Sequence, residues 1–444
     1  MFTVKSALAT AICASLLVGC GQREEVLPGE RLDIRAPATA SAIAAAEAAA
    51  AQPATAPPFR PPAQATNASW THRGGDADKF ISHPALGSQL SQIWSTSIGA
   101  GNGRRHRITA DPIVADGRIY TMDSRSTVTA VSSGGSVLWS RDLTPLGEDP
   151  DHASGGGLAF GNGRLFVTTG FGRLLALDAE TGAELWVQRK DAAATTPPTV
   201  FGEVVYSVSR DSRAWAIDAD TGRVLWEIPG VPTQASVLGA AGPAVTSRLA
   251  VFPLPSGELV ATLRQSGLQV WAASLSGRRE GRVYARINDV TADPVFSGGR
   301  IYAGNAAGRT IALDAASGER IWTANEGALS PVQVAGGSVF LISDQNQLVR
   351  LDARTGDRVW AVDLPLFVTN RERRRNEIFA HFGPVLAGGR LYLASSDDTI
   401  RIFDPETGAQ TSALALPGGA ASIPAVANNT LYVVSGRGTL HAFR

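Results

Sequence analysis

From residue 70 to the C-terminus, apolar residues come in short runs separated by Gly, Pro, Asp, Ser and Thr. Runs such as Gly117-Arg118-Ile119-Tyr120 and Gly299-Arg300-Ile301-Tyr302 are rich in β-branched and aromatic residues. That pattern suits strands held between two neighbouring sheets. The runs recur as one longer unit. A Pro is followed by Gly and an apolar-aromatic pair, then a polar turn, then a strand ending near Ala-Leu-Asp-Ala, then Thr-Gly, then Leu-Trp. Leu175-Ala176-Leu177-Asp178 leads to Thr181-Gly182 and Leu185-Trp186. The same order ends at Trp226, Trp322 and Trp360, with weaker copies at Trp139 and Trp271. A further copy has Asp404, Thr407 and Gly408 but Ser412 in place of Trp.

The repeat-end tryptophans from 139 to 360 step by 47, 40, 45, 51 and 38 residues. A period of that size points to propeller blades. Each unit predicts four antiparallel strands. Asp-x-x-Thr-Gly predicts a hairpin in which Asp caps the backbone and Gly takes a positive φ. The Trp ring is placed where adjacent blades meet, with its N–H free to reach a carbonyl. Pro112, Gly156, Pro198, Pro243, Pro294, Pro331, Pro384 and Pro424 each open a unit. A missing N–H is tolerated at such a sheet edge.

The last unit runs out at Arg444 without its fourth strand, while Gln92-Ile93-Trp94 is a Trp strand without a preceding repeat. Trp94 lies 45 residues before Trp139, in phase. The expectation is therefore an all-β fold: an eight-bladed β-propeller of four-stranded antiparallel blades over 70–444, its ring closed by the N-terminal strand.

Composition agrees. The 47 glycines and 25 prolines favour short strands and tight turns, and 44% hydrophobic residues suffice for a core. Lys+Arg and Asp+Glu are 40 each, which argues against a nucleic-acid binder. The first nineteen residues read as an export signal: Lys5, then an apolar run from Ala7 to Val18 that is too short to span a membrane. Leu17-Val18-Gly19-Cys20 resembles the bacterial lipobox, which implies cleavage before Cys20 and its acylation; a plain signal with an incidental Cys is the alternative. Cys13 would leave with the signal, so no disulfide is available. Gly21 stands where Asp would favour inner-membrane retention, so the resemblance is to the outer-membrane type. Residues 20–69 read as the lipidated Cys and an Ala/Pro-rich flexible tether, too poor in large side chains to fold alone. The alternative is that this segment docks on the body.

The Ala-x-Asp-x-x-Thr-Gly-x-x-x-Trp signature resembles the quinoprotein-type, or tryptophan-docking, propeller repeat. With lipobox, spacer and eight blades, the chain resembles the BamB family of outer-membrane β-barrel assembly lipoproteins. The resemblance implies a non-enzymatic scaffold without a cofactor, lipid-anchored through Cys20 on the periplasmic face of the outer membrane. It implies binding to the POTRA domains of BamA and to other subunits of the BAM complex, aid to insertion of outer-membrane proteins, and contact with nascent ones. It places partner-binding residues on two loops. One contains Ser236, Val237 and Leu238, with Leu238 where the family carries Arg. The other contains Arg286, Ile287, Asn288, Asp289 and Val290, with Asp289 at one acidic position and Thr291 replacing a second.

The alternative function is a periplasmic PQQ-dependent dehydrogenase-like quinoprotein, which in that class needs a quinone and Ca²⁺ in the axial funnel beside a disulfide. The mature chain offers no Cys pair, and no Asp/Asn/Glu cluster has Ca²⁺ spacing. No catalytic residue and no metal ligand is assigned, since none of the six histidines pairs at ligand spacing. Two basic runs, Arg278–Arg282 and Arg371–Arg375, are either solvated loops or contacts for an anionic partner: an acidic protein face, lipid headgroups or cell-wall polymer.

Overall fold

The computed structural model describes residues 58–81, 83–233, 237–275, 277, 279, 289–369 and 371–444. The repeats fold as eight four-stranded antiparallel sheets, the blades of a β-propeller, numbered 1 to 8 from the one opened by Pro112. Their innermost strands are Ile113–Ala115, Gly156–Gly161, Thr199–Phe201, Ala244–Val245, Val290–Ser297, Gln333–Ala335, His381–Ala387 and Ala425–Ala427. In blade 8 the N-terminal strand Gln92–Ser97 pairs antiparallel with Thr439–Phe443. The Ser91 and Arg444 backbones exchange two hydrogen bonds of 2.9 and 3.0 Å beside it. The first propeller strand and the last therefore close the ring, as the phase of Trp94 predicts.

The two middle strands of each blade are apolar and almost wholly buried, because both of their faces are covered by neighbouring blades. The outermost strands keep one face in solvent: Glu184–Arg189 alternates little and is mostly exposed or half-buried. Pro294 and Pro384 do not open their strands. They lie inside Val290–Ser297 and His381–Ala387, at breaks in register between Ala292 and Val295 and between Phe382 and Val385. A residue without an N–H is tolerated at such an irregularity on an edge strand.

The tryptophans join consecutive blades. The Trp186 ring packs against Phe166 of its own blade at 6.0 Å and donates to the Ala219 carbonyl of the next blade at 3.0 Å. A methyl group on Gly222 would fall 2.7 Å from that ring, so the hairpin Gly is required twice, for its φ of +73° and for its missing side chain. The same pairing links Trp94 to Gly135, Trp139 to Gly182, Trp226 to Gly267, Trp271 to Gly318, Trp322 to Gly356 and Trp360 to Gly408. Ser412 is the exception with a reason: in blade 8 the third and fourth strands, Thr439–Phe443 and Gln92–Ser97, are not joined by a Thr-Gly hairpin, so no docking Gly awaits a ring there. The repeat Asp residues are caps, as predicted. Asp178 accepts from the Thr181 N–H at 2.8 Å and the Thr181 hydroxyl at 2.7 Å. These bonds hold its carboxyl below the usual range.

Residues 58–81 and 83–91 form a belt on the face that carries the hairpins between first and second strands. Asn67 donates to the Val426 carbonyl of blade 8 at 2.6 Å. Trp70 and Val114 of blade 1 exchange backbone hydrogen bonds, and Thr71 accepts from Phe160 of blade 2. His72 Nε2 accepts from the Val200 N–H of blade 3 at 3.0 Å. Ala77 and Asp78 accept from Val245 and Phe296 of blades 4 and 5. Ile81 accepts from Gln333 of blade 6, and His83 Nε2 from the Gly389 N–H of blade 7. The belt then meets its own start, where Ala65 donates to His83 and accepts from Ala85. Phe59 packs edge-on against Phe340 at 5.4 Å, so the docked segment reaches beyond residue 70 towards the N-terminus.

Candidate partner-binding site on the inter-blade face

Connections between blades emerge on the face opposite the belt. Two of them carry the loops singled out in the sequence, and the fold brings these together. The Val237 N–H donates to an Asp289 carboxylate oxygen at 2.5 Å across 52 residues of chain. Asp289 is only 1% exposed. Burial pushes its carboxyl up to about 6, against the opposing pull of the Val237 N–H and of Arg210. Asp289 thus does not present a charge to solvent; it holds the Val237 loop in place. Val290 is buried as the first residue of an innermost strand, and Thr291 is buried with its hydroxyl donating to the Ala328 carbonyl at 2.6 Å. Leu238 is 41% exposed and rests beside Gly155. Val231 and Leu146, on the same face, are more exposed still. Ser236, Arg286, Ile287, Asn288 and Cys20, the residue expected to carry the lipid, lie outside the described residues.

The loop is also held from beneath, through residues that the sequence reading passed over. Arg73 of the belt donates to the Gly239 and Ala240 carbonyls at 3.1 and 3.3 Å. Its guanidinium lies 3.2 Å from Asp111 and 3.7 Å from Asp293, and Lys79 lies 3.9 Å from the other Asp293 oxygen. All four side chains are 10% exposed or less. Asp111 accepts from the Ile423 N–H at 2.6 Å and Asp293 from the Gly242 N–H at 2.9 Å. Burial pushes Lys79 down to about 8 and Asp111 up to about 6. In sequence, Arg73-Gly74-Gly75-Asp76 reads as an ordinary polar turn, and its partners lie from 38 to 220 residues away.

The axial residues do not fit a quinone with a divalent cation. Asp111 and Asp293 are turned to cationic side chains of the chain itself, and no group of three or more His, Cys, Asp or Glu among the described residues could hold a metal ion. One acid–base trio is assembled elsewhere. His106 Nδ1 lies 2.8 Å from the Ser124 hydroxyl, and Nε2 lies 3.7 Å from Asp151. Ser124 is buried, its hydroxyl is 2.6 Å from the Gly101 carbonyl, and Asp151 is paired at 2.8 Å with Arg125. The trio ties three loops and leaves no exposed nucleophile. Of the Arg278–Arg282 run only Arg279 is described, paired to Asp344 at 2.8 Å.

The family model of the outer membrane protein assembly factor BamB matches residues 124–362 and 369–444. The chain belongs to the BamB family. The BamB protein of Moranella endobia is 26% identical over 55% of this chain and 64% of its own length. That of Shewanella oneidensis is 25% identical over 52% of this chain and 60% of its own. The matched region thus spans less than two thirds of these BamB relatives. The crystal structure of BamB from Moraxella catarrhalis superposes with a TM-score of 0.65 at 20% identity, covering 80% of this chain and all of that one. A quinohemoprotein alcohol dehydrogenase from Comamonas testosteroni superposes with a TM-score of 0.64 at 16% identity, over 85% of this chain and 81% of its own. At these identities the superpositions speak for the propeller and not for a chemistry.

The Asp289 clasp has a pH signature. A raised carboxyl pKa means that the folded state holds the proton more tightly than the unfolded chain. Stability contributed by this group is present below about pH 4 and is lost as pH rises to about 6, by roughly 2–3 kcal/mol. Asp111 titrates in the same window, so the readout is a difference. Asp289→Asn is expected to flatten part of the decline in urea-unfolding free energy between those pH values. Parallel curves for the two proteins would show that the carboxylate is not desolvated.

Proposed function

We propose that this protein is a non-enzymatic scaffold of the outer-membrane β-barrel assembly machine, tethered to the periplasmic face of the outer membrane by the acylated Cys20. In this reading it holds the POTRA domains of BamA and so aids insertion of outer-membrane proteins. Membership of the BamB family carries the proposal. The geometry supports it: a solvent-facing Leu238 stands on a loop fixed by Asp289 from one side and Arg73 from below. An apolar contact on a pre-organised loop binds with little ordering penalty. Leu238 supplies the contact, and Asp289 acts as a positioning residue.

Capture of the barrel subunit from detergent extracts tests this. The wild-type chain should enrich it, and Leu238→Asp should lower recovery at least tenfold with an unchanged melting curve. Equal recovery by both proteins would remove Leu238 from the interface. No enrichment by wild type, with the partner intact in the extract, would remove the scaffold reading itself.

A further inference from the structure

The connection from the outermost strand of blade 6, Arg358–Asp363, to the innermost strand of blade 7, His381–Ala387, projects as a finger. Phe367 and Ile378 pair across it. Val368 donates to the Glu377 carbonyl at 3.1 Å and Phe379 to the Leu366 carbonyl at 2.9 Å. Its base is pinned: the Pro365 carbonyl accepts from Asn346 at 2.8 Å and lies 2.9 Å from His381 Nε2. The stem is apolar yet uncovered, with Leu366, Val368 and Ile378 at 37, 48 and 62% exposure. The tip carries Arg371, Glu372, Arg373, Arg374 and Arg375, with a 3-10 turn over Glu372–Arg374. Arg371, Arg373 and Arg375 are exposed, and the Arg375 guanidinium lies 4.9 Å from the Phe367 ring centroid.

We infer that this finger is a lipid-contacting element that lies on a bilayer bearing anionic headgroups. Aliphatic side chains left in water beside a cluster of arginines are the composition of an interfacial segment. Leu366 and Val368 share one side of the strand, so a finger laid along the surface sets both among the upper acyl carbons and the arginines among the phosphates. A membrane asks only for charge and apolar contact. An acidic protein face would need a shaped surface opposite it, and a narrow hairpin with aliphatic residues on both sides offers none. The chain as a whole has no net charge, so the body supplies no general attraction of its own. The inference stands apart from the assembly reading, because the finger lies between blades 6 and 7 and Leu238 lies before blade 4.

Flotation with vesicles tests it, using the full chain carrying Cys20→Ser so that no acyl anchor contributes. One set is phosphatidylethanolamine alone; the other is three parts phosphatidylethanolamine to one part phosphatidylglycerol. Each arginine near an anionic surface strengthens binding about fivefold, so at least a tenfold preference for the anionic set is expected, fading with salt. Arg371→Glu/Arg373→Glu/Arg375→Glu should abolish that preference, and Leu366→Ser/Val368→Ser should weaken binding to the anionic set several-fold. Melting curves of these variants should match wild type; if the triple variant melts early, Arg371→Glu and Arg373→Glu singly carry the comparison. Equal partition of wild type between the two sets overturns the inference, as does an unchanged preference in the variants. Loss of a co-purifying protein with no change on vesicles would mark the finger as a protein contact and overturn it equally. Because the readout is vesicle binding, failure here leaves capture of the barrel subunit untouched.

Discussion

Trp186→Ala is expected to destabilise the propeller by about 3 kcal/mol, at the lower end for loss of a large aromatic because the ring is only partly buried. The ring fills the junction of blades 2 and 3, touching Phe166 on one side and the Gly222 hairpin on the other. Its N–H leaves the Ala219 carbonyl without that donor. Gly222→Ala attacks the same junction from the other side, setting a methyl 2.7 Å from the ring at a φ of +73°. Overpacking of this kind costs roughly 1–3 kcal/mol, and the backbone conformation about 1–2 more. In the double variant the clash is gone and only the φ strain remains. The two losses should therefore sum to more than the double variant shows, by about 1 kcal/mol or more. Urea unfolding of the four proteins measures this. Strict additivity would mean that ring and glycine are not coupled.

Arg73→Met should destabilise the fold by about 3–5 kcal/mol, because it leaves Asp111 and Asp293 buried without the guanidinium that faces both. The loss is one of uncompensated charge, so neutralising the partners should restore most of it. In Arg73→Met/Asp111→Asn/Asp293→Asn the Ile423 and Gly242 N–H groups keep an acceptor, and no buried carboxylate is left facing the missing guanidinium. The triple variant more stable than the single one is the expected order; the reverse would show that Arg73 acts through its shape alone. Arg73 also supports the Gly239 and Ala240 carbonyls, so the single variant should weaken capture of the partner even where it remains folded.

Much of this molecule is legible in one dimension because a propeller is a local fold. Each hairpin is made by residues a few positions apart, and the Asp178–Thr181–Gly182 turn writes its own geometry into the chain. Trp186 and Gly222 lie one repeat apart, so even the contact between blades recurs with the period. The closure of the ring was equally readable, since Trp94 is in phase with a repeat that lacks its start. Family resemblance singled out the two candidate loops, but not the part played by Asp289. A carboxylate in a loop suggests an exposed charge, and only its seat at the start of an innermost strand reveals it as a buried clasp for Val237.

Sequence alone thus determined the strand order, the number of blades, the docking of each tryptophan and the junction of the first and last propeller strands, because these rest on short-range turns and a repeated period. Tertiary structure decided what has no period: the circuit of residues 58–81 and 83–91 around the hairpin face, the Arg73–Asp111–Asp293–Lys79 cluster on the axis, and the burial of Asp289 against the Val237 N–H. Those contacts join residues tens to hundreds of positions apart, and whether a charge there meets water or a partner depends on the closed ring around it.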